Sequence, residues 1–329
     1  MARQETEQGY AALVRAFLDG DPREHEGGPF DVRAVMACLP QETKDAFEYD
    51  GAPWDRFSRG HETQAKLEHL RAGDPEIARH ALRCLQGELA NSARSACALA
   101  LPFLLRIGAD PRTHFRADIL GLAAEIGRQT TGPGLCTREE LLRVAYDDDE
   151  WVIEPSGYPG HWSIQAAREA ITADADLVIE LLADSDPQVR SAAAYTAVVA
   201  LGRTADIKDA LSVRMNVEKD PAVRAGLVFA SAQLAREHGD ADGEVWTRLI
   251  WSDPAASPEM RVSAALGWMC LTDAPIPDSL RIVLDQCATD ATGKLMGSLP
   301  WMRAVDYRGD PGLQICVRMM LSPEAHDLA

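Results

Sequence analysis

Apolar residues in this chain fall in short blocks with a period of three to four, separated by polar or Gly/Pro-rich breaks. Over 6–18, Tyr10, Leu13, Val14, Phe17 and Leu18 hold the i, i+3, i+4, i+7, i+8 stripe of an amphipathic helix. A break runs from Asp21 to Pro29. Residues 31–47 carry a helical pattern interrupted by Pro40, which predicts two short pieces, because proline removes a backbone donor and clashes with the preceding turn. After Gly51-Ala52-Pro53, Trp54 and Phe57 are expected to anchor a cap. Helices are predicted over 61–71, 75–90, 92–107 and 111–128, with Leu99, Leu101, Phe103 and Leu104 as core candidates. A fifth opens at Thr137, an N-cap with Glu140 in the capping-box position. Further helices are predicted over 163–172, 176–183, 187–201, 205–217, 221–237, 244–251, 259–271 and 277–289. No stretch sustains a two-residue alternation and no Asn-Gly hairpin occurs, so no strand is predicted.

Many of these helices are announced by the same dipeptide. Asp-Pro stands at 74–75, 110–111, 186–187, 220–221 and 253–254. Asp is a good N-cap, and Pro suits the first helical turn, where its missing N–H has no partner to lose. Pro75 to Pro111 is 36 residues, Pro111 to Pro187 is 76, and Pro187 to Pro221 is 34. Pro221 to Pro258 is 37, with Ala255-Ala256-Ser257-Pro258 reading as a four-residue insertion. A start signal at near-constant spacing points to stacked helical repeats.

The strings Asp186-Pro187-Gln188-Val189-Arg190-Ser191-Ala192-Ala193-Ala194 and Asp220-Pro221-Ala222-Val223-Arg224-Ala225-Gly226-Leu227 resemble the bacterial HEAT-like repeat, also called the PBS-lyase HEAT-like repeat. Ser257-Pro258-Glu259-Met260-Arg261-Val262-Ser263-Ala264-Ala265 matches after the insertion; Asp74-Pro75-Glu76-Ile77 starts another copy with Ala78 in the place of Arg. Asp110-Pro111 is a weaker match. The resemblance covers residues 61–290 and implies an all-α, HEAT-like α-solenoid, a right-handed superhelix of antiparallel helix pairs. It places an N-terminal helical cap over 1–60 and a C-terminal cap or tail over 291–329. The family holds scaffolds, lyase subunits and a small group of DNA glycosylases, so the repeat alone assigns no activity. Arg190, Arg224 and Arg261 are expected to reach an Asp of the neighbouring repeat and build a ladder of charge-assisted hydrogen bonds.

Charge narrows the partners. The chain has 33 Lys and Arg against 51 Asp and Glu, a formal net charge of −18, and no basic run longer than two residues. Such a field repels a phosphate backbone and anionic membranes, so nucleic acid and membrane are not expected partners. The seven cysteines are scattered and never form Cys-x-x-Cys, which argues against a disulfide framework or structural zinc. The polar start MARQETEQGY has no apolar leader segment, and no apolar run reaches the length of a membrane span. A reduced, cytoplasmic protein without cofactor or metal is the expectation.

Candidate chemistry gathers in a break at 147–162. Its acidic run Asp147–Glu150 lacks the spacing of a calcium loop. Trp151, Glu154, Tyr158, His161 and Trp162 follow, in a loop with two Pro and two Gly. Aromatics with a His and a carboxylate suit a recognition hot spot, a pocket lip, or simple packing on neighbouring helices. Were the chain an enzyme, Glu154, Tyr158 and His161 would be the acid/base candidates. Trp246, Trp251, Trp268 and Trp301 concentrate in the C-terminal half. On an inner face, Trp246 and Trp268 would join Trp151, Tyr158 and Trp162 in holding a cationic or amphipathic guest. No Gly-x-Ser-x-Gly, His-Glu-x-x-His or P-loop is present. The leading expectation is a non-catalytic scaffold or adaptor that grips a protein or peptide in its concave face. The alternative is a HEAT-like lyase, isomerase or cyclase acting on a small cationic or amphipathic molecule.

Overall fold

A computed structural model describes residues 31–91, 93–128, 136–144, 154, 158–303 and 312–322. The chain is all-helical over these residues, and no β-strand forms among them. The helices are α1 (Val32–Cys38), α2 (Gln41–Ala46), α3 (Gly60–Leu70), α4 (Pro75–Asn91), α5 (Arg94–Ala109), α6 (Arg116–Ile126), α7 (Gly160–Ala173) and α8 (Ala175–Glu180). There follow α9 (Pro187–Ala197), α10 (Thr204–Val217), α11 (Pro221–Glu237), α12 (Asp242–Ser252), α13 (Pro258–Leu271), α14 (Asp278–Cys287), α15 (Asp290–Met296), α16 (Pro300–Arg303) and α17 (Gly312–Leu321). Pro40 splits α1 from α2 as its sequence predicts. The stripe at 6–18 lies outside the described residues.

The Asp-Pro signals act by the mechanism that makes them signals. The carboxylate of Asp186 accepts from Gln188 N at 2.8 Å and that of Asp220 from Val223 N at 3.0 Å, capping α9 and α11. Asp110 behaves differently. It closes a turn by accepting from Arg112 N at 2.9 Å, and with Phe115 at φ 60° the helix predicted from 111 starts only at Arg116. The helix expected to open at Thr137 is also absent. Thr137 Oγ1 does accept from Glu140 N at 3.2 Å, but the chain continues as turns.

Helix α5 is apolar on every side and buried from Ser95 to Gly108, the signature of a core helix. Leu99, Leu101, Phe103 and Leu104 are all fully buried there. Trp54 and Phe57 are buried too; Trp54 lies against Phe103 and donates its indole N–H to Tyr49 O at 2.7 Å. Beyond α5, one row of helices packs in succession, α6 on α9, α9 on α11 and α11 on α13. Helices α10 and α12 flank α11, and α12 and α14 flank α13. Small residues set these approaches. A Cβ on Gly243 would stand 2.3 Å from Ala235 Cβ, and one on Gly267 2.9 Å from Ala232 Cβ.

Ion pairs join elements that are distant in sequence. Arg116 reaches Asp184 at 2.7 Å, Arg106 reaches Asp174 at 2.9 Å and Asp45 at 2.6 Å, and Arg190 holds both oxygens of Glu218 at 2.8 and 2.9 Å. The expected arginine ladder is therefore realised in one rung, on a glutamate rather than an aspartate. Arg261 turns instead to Trp251 O at 3.2 Å and the Cys287 thiol at 3.6 Å, and Nε of Arg224 has no acceptor among the described residues.

The described part of the C-terminal segment is helical. Helix α15 packs on α11 and α13, α16 on α9, and α17 on α13. Trp301 sits edge-on to Tyr195 at 4.9 Å, beside Phe229 at 5.7 Å, and donates to Gln233 Oε1 at 2.7 Å. The α9–α11–α13 row is thus covered by the chain itself.

Candidate functional site

Of the candidates at 147–162, Glu154, Tyr158 and Trp162 are taken up by packing. Glu154 is 5% exposed; its carboxylate accepts from Ser95 N at 2.6 Å, from Ser95 Oγ at 3.3 Å and from Ser163 Oγ at 3.4 Å. Ser95 lies in the first turn of α5, where backbone N–H groups have no intrahelical acceptor and the helix dipole favours an anion. Glu154 is a helix cap delivered from a distant part of the chain. Tyr158 OH accepts from Val32 N at 2.9 Å, tying down the start of α1, and burial pushes the phenol above its ordinary pKa. Its ring meets Phe57 and Trp162 edge-on at 6.0 and 6.1 Å, and the Arg33 guanidinium lies 4.4 Å from the Trp162 ring. His161 and Trp162 belong to α7, not to the loop expected over 147–162, because Pro159 caps a helix that starts at Gly160. The structure brings Glu154, Tyr158 and Trp162 together as a clamp between α1, α5 and α7. None of them lines either of the two cavities described below. Trp151 lies outside the described residues.

The tryptophans of the C-terminal half divide. Trp268 is buried and edge-on to Trp251 at 6.1 Å, so both belong to the core. Trp246 is half-buried and lines a groove of about 330 Å³. Helix α10 forms one wall with Thr204, Lys208, Leu211 and Met215; α12 forms the other with Asp242, Gly243 and Trp246; Leu234 and Ala235 of α11 make the floor. The i, i+4, i+7, i+11 spacing of the α10 residues puts them on one helical face.

Charge and apolar surface meet at this groove. Lys208 Nζ donates to Asp240 at 2.6 Å, which raises the lysine pKa and holds the Asp240 carboxyl below its usual range. The other Asp240 oxygen accepts from Asp242 N at 3.0 Å. His238 is 3.0 Å from Thr204 Oγ1. Asp209 and Asp242 make no ion pair among the described residues. Val213 and Val217 on α10, and Val245 and Leu249 on α12, are exposed but line no part of the groove; Val213 and Val217 lie on the α10 face opposite Thr204, Lys208, Leu211 and Met215.

The groove holds one hydroxyl–imidazole pair, Thr204 Oγ1 and His238 Nε2, and among the described residues no group of three or more His, Cys, Asp or Glu is arranged to hold a metal. Its lining offers apolar contact, one indole and an acidic rim. Of the residues singled out from the sequence, only Trp246 stands here. Met215, Lys208 and Asp240 were not legible as site residues, since nothing local tells that α10 and α12 stand on either side of α11. No match is found among protein-family models, curated proteins or solved structures.

Proposed function

We propose that this chain is a non-catalytic binding module of the HEAT-like kind, a right-handed solenoid of helix pairs. We further propose that its working surface is the groove between α10 and α12. The succession α6, α9, α11, α13 and the recurrent Asp-Pro caps support the solenoid reading. The observation that carries the function is the groove itself, with Trp246 in one wall, Leu211 and Met215 in the other and Leu234 in its floor. The partner is an amphipathic peptide helix with basic flanks. Its apolar face meets the groove, and its cations meet Asp240 and Asp242 at the rim in the field of a chain with net charge −18.

The expected concave-face site changes position in this reading. The α9–α11–α13 row is occupied by α15–α17, which leaves the α10/α12 side for a partner.

Fluorescence titration with a synthetic Leu/Lys amphipathic helix and its Leu/Glu counterpart tests the proposal. Saturable binding of the Lys peptide, weakened at least tenfold by Trp246→Ala, is expected, with no binding of the Glu peptide. Equal binding of both peptides, or an unchanged Trp246→Ala variant, would end the reading.

A further inference from the structure

A second cavity, of about 200 Å³, lies where α6 and α9 meet the start of α16. Helix α6 lines it with Asp118, Gly121, Leu122 and Glu125, α9 lines it with Ser191 and Ala192, and Ser298 and Pro300 close one end. The α6 residues fall at i, i+3, i+4 and i+7, one stripe of a helix. The two carboxylates therefore share a wall, two turns or about 10 Å apart. No Lys, Arg or His is among the residues that line the cavity.

Two features distinguish this space from a packing gap. The first is Gly121, in the middle of α6. A Cβ there would meet nothing within 4 Å, whereas Gly243 and Gly267 are bare so that helices can approach. Glycine is a poor helix former, so a glycine without a packing partner weakens α6 and leaves bare backbone between two carboxylates. The second is Ser191, which is 7% exposed and whose hydroxyl has no partner among the described residues. A Cβ on Gly226 would stand 3.3 Å from both Ser191 Oγ and Leu299 Cδ2, which sets the hydroxyl at the end that Ser298 and Pro300 close. A buried hydroxyl without a hydrogen bond is costly, and a donor brought into the cavity would relieve it.

We propose that this cavity binds a linear aliphatic diamine as its dication. One ammonium group donates to Asp118 and the other to Glu125, and the methylene chain runs over Gly121 against Leu122 and Ala192. Ser191 Oγ accepts a further N–H at the closed end. Carboxylates this far apart cannot share one metal ion, whose oxygen ligands lie within about 2.6 Å of it. They suit a two-headed guest: with contacts of about 2.8 Å at each end, the ammonium groups stand roughly 5–8 Å apart, the reach of four or five methylenes. The volume agrees, being below the roughly 300–1,000 Å³ of pockets for larger ligands. The net charge of −18 concentrates such cations around the chain.

Isothermal titration of the full chain with 1,4-diaminobutane, against n-butylamine and magnesium chloride at matched ionic strength, gives the readout. Saturable heat with the diamine alone is expected. Asp118→Asn is expected to weaken it at least tenfold, and is preferred to a change at Glu125, which also acts on buried Arg128. The discriminating variant is Gly121→Leu. Its side chain starts into open space and improves helix propensity, so the fold is kept while the room between the carboxylates is filled. G121L is expected to abolish diamine binding, and Trp246→Ala, in the other groove, to leave it unchanged. No saturable heat with the wild type, equal affinity for butylamine or magnesium, binding retained by G121L, or binding lost in W246A overturns the proposal. Should D118N fail to fold, G121L decides.

Discussion

Substituting Glu218 by Gln tests how far the fold depends on its single arginine rung. Glu218 is 7% exposed and accepts from Arg190 Nε and a terminal nitrogen at 2.8 and 2.9 Å, from Arg214 Nε at 2.8 Å, and from the backbone N–H groups of Lys219 and Asp220 at 2.9 Å each. Burial alone raises the carboxyl pKa, yet the bonds from Arg190, Asp220 and Arg214 together outweigh it and hold the value at about 2, against an ordinary 4.5. That difference corresponds to about 3 kcal/mol of folding stability, at about 1.4 kcal/mol per pH unit. Removing one member of a buried pair costs about 3–5 kcal/mol in general, which agrees. The folded value is the lower one, so the contribution is complete above pH 4.5, declines as pH falls, and is lost below about pH 2. Urea unfolding at pH 7 is therefore expected to place Glu218→Gln about 3 kcal/mol below the wild type, with the gap roughly halved at about pH 3. A gap under about 1 kcal/mol at pH 7, in the range of an exposed pair, or one that does not change with pH, would refute the reasoning.

Glu154→Ala is expected to lose about 1–2 kcal/mol, the cost of a helix cap, read in the same urea experiment at pH 7; a neutral result would mean that α5 does not need its remote carboxylate. Thiol accessibility gives an independent check of burial. Cys38 is exposed and Cys84 partly so, whereas the other five cysteines are buried, with burial pushing Cys97 and Cys270 up to about 12. Ellman's reagent should find two fast-reacting thiols in the native chain and all seven after denaturation. A third fast thiol would show that one of the buried sites opens readily.

Sequence punctuation located most helices because the physics of a helix start is local. Asp220-Pro221 begins α11, and Gly239, at φ 60°, follows its end, so both boundaries of 221–237 are written within a few residues. Where the same letters failed, another local bond had won. Asp110 spends its carboxylate on a turn, and Phe115 in the left-handed region delays α6 by five residues. Helices α15–α17 carry start signals too, with Thr289 capping α15, Pro300 opening α16 and Asp310-Pro311 standing directly before α17, but no signal of what they pack on. Their apolar residues answer to distant partners, as Trp301 does to Tyr195, Phe229 and Gln233. The functional surface was less legible still. The aromatics of 147–162 looked like a binding lip, but Glu154 and Tyr158 find backbone donors at Ser95 and Val32, which no linear pattern announces. Trp246 stood out by type, yet its groove depends on how far apart α11 holds the two helices that flank it.

The placement of Trp301 between Tyr195 and Phe229 also bears on how the molecule is made. Stacked repeats can in principle consolidate one after another as a ribosome delivers them. Here the middle of the stack waits for an indole translated some seventy residues after Phe229. Nascent chains halted before that point are expected to keep the sides of α9 and α11 bare, and so to be the species that chaperones and proteases meet.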